Sequence, residues 1–269
     1  MTAALARTAL RLLVVEALSP TGTPEDGPWP TIAGGKVYDS RLVPAEDIAE
    51  TERHPVAMIY TDEVEAVPRQ TNGRLPLAVQ VDLRIEIALP QLVSATFEDE
   101  EGETREEVFA GFPQTDPETE AQLDLLESQV VFALFQGPTG ALLRRLMPPK
   151  LKEFSSVPFR SGEQRVRQAM RSLTFRLTEF PSDCYDMAPA EIPDGLARLP
   201  QPLRAVAEAL PEQSYGRGVA LDLAGRAPVA APITPLTGMS LTIDASRAVP
   251  PPPPPSSPAL DIDTLITPS

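Results

Sequence analysis

The stretch Leu77–Leu89, LAVQVDLRIEIAL, constrains this chain more than any other. Its odd positions Leu77, Val79, Val81, Leu83, Ile85, Ile87 and Leu89 are all apolar, while Gln80, Asp82, Arg84 and Glu86 occupy even ones. Successive side chains of a strand point to opposite faces, so period two predicts one β-strand with one buried face. On a helix the same residues would scatter around the axis. At about 3.3 Å per residue the strand spans roughly 40 Å, well beyond the usual length.

A strand of that length needs partners, and the chain supplies them. HPVAMIYTDEVEA begins a second strand near Pro55–Thr61, and the hairpin dipeptide Asn72-Gly73 precedes Leu77, so the two are expected to pair antiparallel. RSLTFRLTEF (Arg171–Phe180) reads as a third strand, with Leu173, Phe175 and Leu177 on one face and Thr174, Arg176 and Thr178 on the other. Arg176 is expected opposite Asp82 or Glu86. KVYDS (Lys36–Ser40) is a short strand or loop. The acidic run Glu98–Glu107 lies between apolar Leu92–Phe97 and Val108–Phe109, which read as hairpin arms with Gly102 at the tip or as the flanks of a solvated loop.

Helical periodicity marks three further segments. Thr2–Leu18 reads as an amphipathic helix capped by Thr2, with Leu5, Ala9, Leu12, Leu13 and Val14 inward and a stop at Ser19-Pro20. Thr115-Asp116-Pro117-Glu118 opens the best-marked helix: a capping side chain, proline in the first turn and acidic residues at the positive end of the dipole. Leu123, Leu126, Val130 and Leu134 give it one apolar face to lay on the sheet, and Gly137-Pro138 ends it. Residues 139–147 suggest a short helix stopped by Pro148-Pro149. The fold class is therefore α+β, a mainly antiparallel sheet with helices packed on one face.

Of the 269 residues 32 are proline, concentrated after Pro181. This divides the chain into a domain over 1–180 with an acidic insertion at 91–112, an irregular extension over 181–247, and an arm over 248–269. The extension holds one helical candidate, Pro202–Leu210, and two short strand candidates, Val219–Leu223 and Ser240–Ile243. The arm joins a polyproline II rod (Pro250–Pro255) to the apolar segment LDIDTLI. Leu260, Ile262, Leu265 and Ile266 are the expected partner-binding residues, since a free tail has no reason to expose them. They are expected to order against a neighbouring subunit or an adjoining protein.

The chemistry offered is sparse. A net charge of −15 and a pI near 4.5 repel nucleic acid. One cysteine, Cys184, excludes an intramolecular disulfide, and with a single histidine, His54, there are few soft metal ligands; a reducing compartment fits. His54 directly precedes a proline at a strand start and reads as structural or exposed. Gly34-Gly35-Lys36 lacks the spacing of a phosphate loop. Asp82 and Glu86 sit roughly 13 Å apart at strand rise, too wide for paired-carboxylate hydrolysis and better explained by a solvated sheet face. Glu16 interrupts the N-terminal apolar run and no cleavage site follows, so export is not expected; no stretch approaches 18 apolar residues. No catalytic residue, metal or cofactor is expected.

The order of these elements resembles the tail-terminator (tail-completion, minor tail protein U-like) family of long-tailed bacteriophages. The resemblance runs over about residues 1–180: an N-terminal helix, a VYDS segment, the PVAMIYTDEVEA strand, the DLRIEIALP strand, the AQLDLLESQVVFAL helix, the short LLRRL helix, then RSLTFRLTEF. It implies a structural virion protein, assembled in the bacterial cytoplasm. Six copies would form a ring that caps the tail tube protein, stops its polymerisation and meets a head-tail connector or stopper. DNA would pass through unbound, and no membrane is involved. Glu98, Asp99, Glu100, Glu101 and Glu103 would then lie on the ring lumen or rim. The acidic insertion and everything after Pro181 depart from the family pattern. Two other classes compete: a soluble adaptor binding through its Pro-rich arm, and a small enzyme using carboxylates alone.

Overall fold

The computed structural model describes residues 3–41, 54–68, 77–98, 104–111, 116–160, 167–185 and 194–227. In chain order the elements are α1 (Ala4–Leu18), β1 (Val37–Asp39), β2 (Val56–Pro68), β3 (Leu77–Ala88), β4 (Gln91–Glu98), β5 (Thr104–Gly111), α2 (Pro117–Phe135), α3 (Ala141–Leu146), β6 (Lys150–Arg160), β7 (Arg167–Phe180), α4 (Leu203–Ala209) and α5 (Tyr215–Arg226). Five strands form one sheet in the order β1-β2-β3-β7-β6. The β1–β2 pair is parallel and the rest are antiparallel. The expected long strand stands at the centre, paired with the second and third strands read from sequence.

Three bulges lie side by side across this sheet. Thr61 and Val64 face Leu83 and Val81, so β2 carries one extra residue; Leu177 and Phe180 face Val81 and Val79, so β7 does too; and β6 gains one between Leu151 and Glu153. Each bulge inverts the parity of its strand. The inward residues of β7 run Leu173, Phe175, Leu177 and then Phe180, all buried. Glu179, with φ +53°, is the residue that turns the β7 backbone.

All helices stack on one face. Ala57, Ile59, Val81, Leu83, Ile85, Ile87, Leu173 and Phe175 meet Leu123, Leu126 and Val130 of α2 and the apolar side of α1 in a single core. The start of α2 is as read from sequence, with the Asp116 carboxylate accepting from the Thr119 N–H at 2.7 Å and proline in the first turn. Its last carbonyls are taken by Arg144 of α3, which donates to Leu134 O at 3.0 Å and Gly137 O at 2.8 Å. A Cβ on Gly140 would lie 2.3 Å from Ala133 O, so only glycine lets α3 fold back so closely.

Three expectations are corrected, and one strand is added. The N-cap position of α1 is Ala3, with no side-chain cap of its own; Thr2 lies outside the described residues. Asp183 serves the first turn instead, accepting from Ala6 N–H at 2.7 Å and Leu5 N–H at 3.3 Å. Val219–Leu223 is helix, not strand: Ser214 caps α5 by accepting from Arg217 N–H, and the small residues Gly216, Ala220 and Ala224 bury one helical face. The domain boundary at residue 180 also moves, because Leu199, Leu203, Val206, Ala207, Leu210 and Ala220 join the main core and the compact unit reaches Pro232. β6 went unforeseen, since KLKEFSSVPFR has no steady alternation, two register shifts and an internal proline. Among the described residues no helix is long and apolar enough to cross a membrane.

Candidate assembly surface

Several charged side chains on this framework are tied into ion-pair networks. On the sheet face away from the helices, Arg176 of β7 grips Asp82 of β3 through two hydrogen bonds of 3.0 and 2.9 Å and reaches Glu153 of β6 at 3.3 Å. Asp82 is thus one of the two partners expected for Arg176, in direct cross-strand register. The solvated face expected there is only partly so, because Asp82 is buried. Arg84 Nε lies 3.0 Å from Asp62 Oδ2, without the alignment of a hydrogen bond. Burial pushes the Glu86 carboxyl above its ordinary range; Arg84 pulls it back and Asp62 pushes it further up.

A second network ties α2 to β7. Buried Arg171 donates to Asp124 and Glu127 at 2.7 Å and to Glu120 at 2.9 Å, and Ser156 of β6 donates to Glu127 at 2.7 Å. Burial opposes the guanidinium charge, but the hydrogen bonds to Glu127 and Asp124 outweigh it and hold the group above its usual range. With three carboxylates on one side of a helix, spaced 120, 124 and 127, the network is an anchor for β7 with its acceptors engaged by a cation.

A cleft of roughly 520 Å³ runs past Trp29, Tyr38, Arg41 and Tyr215 beside the end of α1. Its charged groups are also engaged. Arg11 donates to Asp39 at 2.7 Å and to Thr61 at 2.9 Å, and Glu16 accepts from the backbone and hydroxyl of Thr21 at 2.9 and 2.8 Å. Burial and the neighbouring Asp39 carboxylate raise the Tyr215 phenol. Among the described residues no trio of His, Cys, Asp or Glu is disposed to hold a metal ion. His54 is half-buried just before β2.

What the framework leaves open is an edge. β6 closes one side of the sheet with eleven residues, whereas β1 closes the other with three. Leu151, Phe154, Val157 and Phe159 of β6 are 45, 40, 56 and 49% exposed, and Phe132 and Leu125 on α2 are 53 and 49% exposed. Phe154 still packs on Phe175, ring centroids 4.9 Å apart, and by register Leu151 and Phe154 lie on the helix-side face whereas Val157 lies on the other, so both faces of this edge strand expose apolar groups. β6 carries several of the devices that blunt an edge strand, a bulge at Lys152, basic side chains and Pro158, but exposes large apolar groups beside them. Sequence reasoning missed this surface because exposure of an apolar residue has no signature in the chain itself.

The acidic insertion at 91–112 folds as the β4–β5 hairpin, a two-stranded sheet of its own, with Gln91 opposite Gly111 and Glu98 opposite Thr104. The hairpin reading of its flanks is the one realised. Glu98 ends β4; Asp99, Glu100, Glu101 and Glu103 lie outside the described residues, as do Leu260, Ile262, Leu265 and Ile266, Asn72-Gly73 and Ser240–Ile243. No protein-family model matches the chain, and no curated protein matches its sequence significantly.

Proposed function

We propose that this protein is a ring-forming structural component of a long-tailed bacteriophage, a tail terminator that caps the tail tube and joins it to the head connector. The observation that carries the reading is the unequal pair of sheet edges, with the eleven-residue β6 and its exposed apolar side chains on one and the three-residue β1 on the other. A ring needs two dissimilar sides on each subunit, because a heterologous contact repeats from copy to copy until the rotation closes. With the β4–β5 pair between β3 and α2 and with β6 between α3 and β7 set aside, the succession α1, β1, β2, β3, α2, α3, β7 also follows the element order in which the sequence resembles the tail-terminator family. Such a role needs stable faces and no catalytic residue, which suits a framework in which Arg171 and Arg176 tie strands and helix together.

The test is the mass of the purified full chain by mass photometry across a micromolar range. The expected result is a species of six times 29.0 kDa that binds the end of tail tubes and halts their growth. A monomer at every concentration, with no effect on tube length, overturns the reading.

A further inference from the structure

We infer that the ring is closed by strand addition, the β4–β5 hairpin of one copy joining the free β6 edge of the next. This rests on the ring reading above and names its subunit contact. The two surfaces need partners for independent reasons. A lone two-stranded sheet is marginal in water, and three or more strands are wanted for stability; among the described residues β4 and β5 pair only with each other. Among the same residues β6 pairs only with β7, and Val157 and Phe159 are about half exposed along it.

Charge chooses between the possible pairings. In a chain of net charge −15, β6 carries Lys150, Lys152 and Arg160 against the single acid Glu153, whereas the hairpin arms carry Glu98, Glu106 and Glu107 against the single base Arg105. Joining β6 to β6 or hairpin to hairpin brings like charges across a strand pair, which is unfavourable; joining β6 to a hairpin brings opposites together. The register is limited as well. The bulge at Lys152 and the missing N–H of Pro158 leave Glu153–Val157 as the continuous open ladder, within reach of an eight-residue arm, so the basic residues Lys150, Lys152 and Arg160 flank the added strand at its two ends rather than lying within it. Because the two surfaces differ, each copy donates one and receives one, the arrangement a closed ring requires.

The experiment uses two variants of the full chain, each checked for an unchanged melting temperature. One replaces residues 92–110 by Gly-Ser-Gly; the other is Val157→Lys/Phe159→Lys. Each alone is expected to lose the high-mass species, and an equimolar mixture is expected to give a 1:1 dimer and nothing larger, since each variant keeps one intact half of the contact. If the hairpin-shortened chain does not fold, Glu106→Lys/Glu107→Lys decides. It should weaken assembly at least tenfold and be rescued by Lys150→Glu/Lys152→Glu. A hairpin-shortened chain that assembles like the wild type, a mixture without a dimer, or a charge reversal without rescue overturns the strand addition while leaving the ring intact. A wild-type monomer overturns both.

Discussion

Asp183 and Ala6 are 177 positions apart in the chain, yet the Asp183 carboxylate accepts the Ala6 backbone N–H at 2.7 Å and caps the first turn of α1. The segment after β7 thereby locks the N-terminal helix onto the sheet, and the chain on either side of residue 180 forms one structural unit.

Asp183→Ala should destabilise the protein by roughly 2 kcal/mol, since it removes a cap and leaves two N–H groups of the first turn without their acceptor. Urea denaturation reads the loss, and Asp183→Asn should recover part of it. An unchanged midpoint would show that another group takes over the cap.

Arg171→Met strands Glu120, Asp124 and Glu127 without their common cation. The expected loss is roughly 3 kcal/mol, at the lower end for a broken buried pair because Asp124 is 69% exposed. Adding Glu120→Gln and Glu127→Gln to the same chain should restore most of the stability. If the triple variant is no better than Arg171→Met, the loss comes from packing of the arginine stem and not from charge.

Gly140→Ala places a methyl group 2.3 Å from Ala133 O and 2.5 Å from Leu134 O, backbone atoms that cannot rotate away. Helix α3 must shift, at a cost of about 2 kcal/mol. Thermal melting checks this, and a variant that melts with the wild type would show that the α2–α3 turn is loose.

Glu86→Gln should raise stability at pH 7. The folded protein holds the Glu86 proton more tightly than the unfolded chain, whose carboxyl titrates near 4.5. Wild-type stability from this group is therefore highest below 4.5 and falls as pH rises through the raised folded value. Glutamine does not titrate, so the variant's advantage at pH 7 should shrink on approaching pH 4. Melting curves at both pH values test the sign; a gap that widens on acidification contradicts it.

Replacing Glu98, Asp99, Glu100, Glu101 and Glu103 by lysine follows from the proposed ring. An acidic lumen or rim gives passing DNA no place to stick, and reversing its sign should create binding that weakens steeply with salt. Fluorescence anisotropy with a short duplex between 50 and 200 mM salt, about the range over which phosphate contacts are lost, reads the effect. A folded variant that still ignores DNA would place the insertion away from the DNA path.

Residues 77–89 by themselves determined that the protein is built on a long half-buried strand, because period two has one geometric solution. Asp116-Pro117 likewise determined where α2 begins, since a cap is satisfied within one turn of chain, and periodicity named the apolar sides that β3, β7 and α2 contribute to the core. Only the tertiary structure decided what depends on distant neighbours. Asp183 caps α1 although no local pattern links them. Val219–Leu223 reads as a strand until α5 is seen with its small residues Gly216, Ala220 and Ala224 buried. β6 is a strand because β7 offers it a ladder, despite two bulges and Pro158. Periodicity reports which face of an element is apolar; it does not report whether another element arrives to cover it, and the open side of β6 is a property of that arrangement alone.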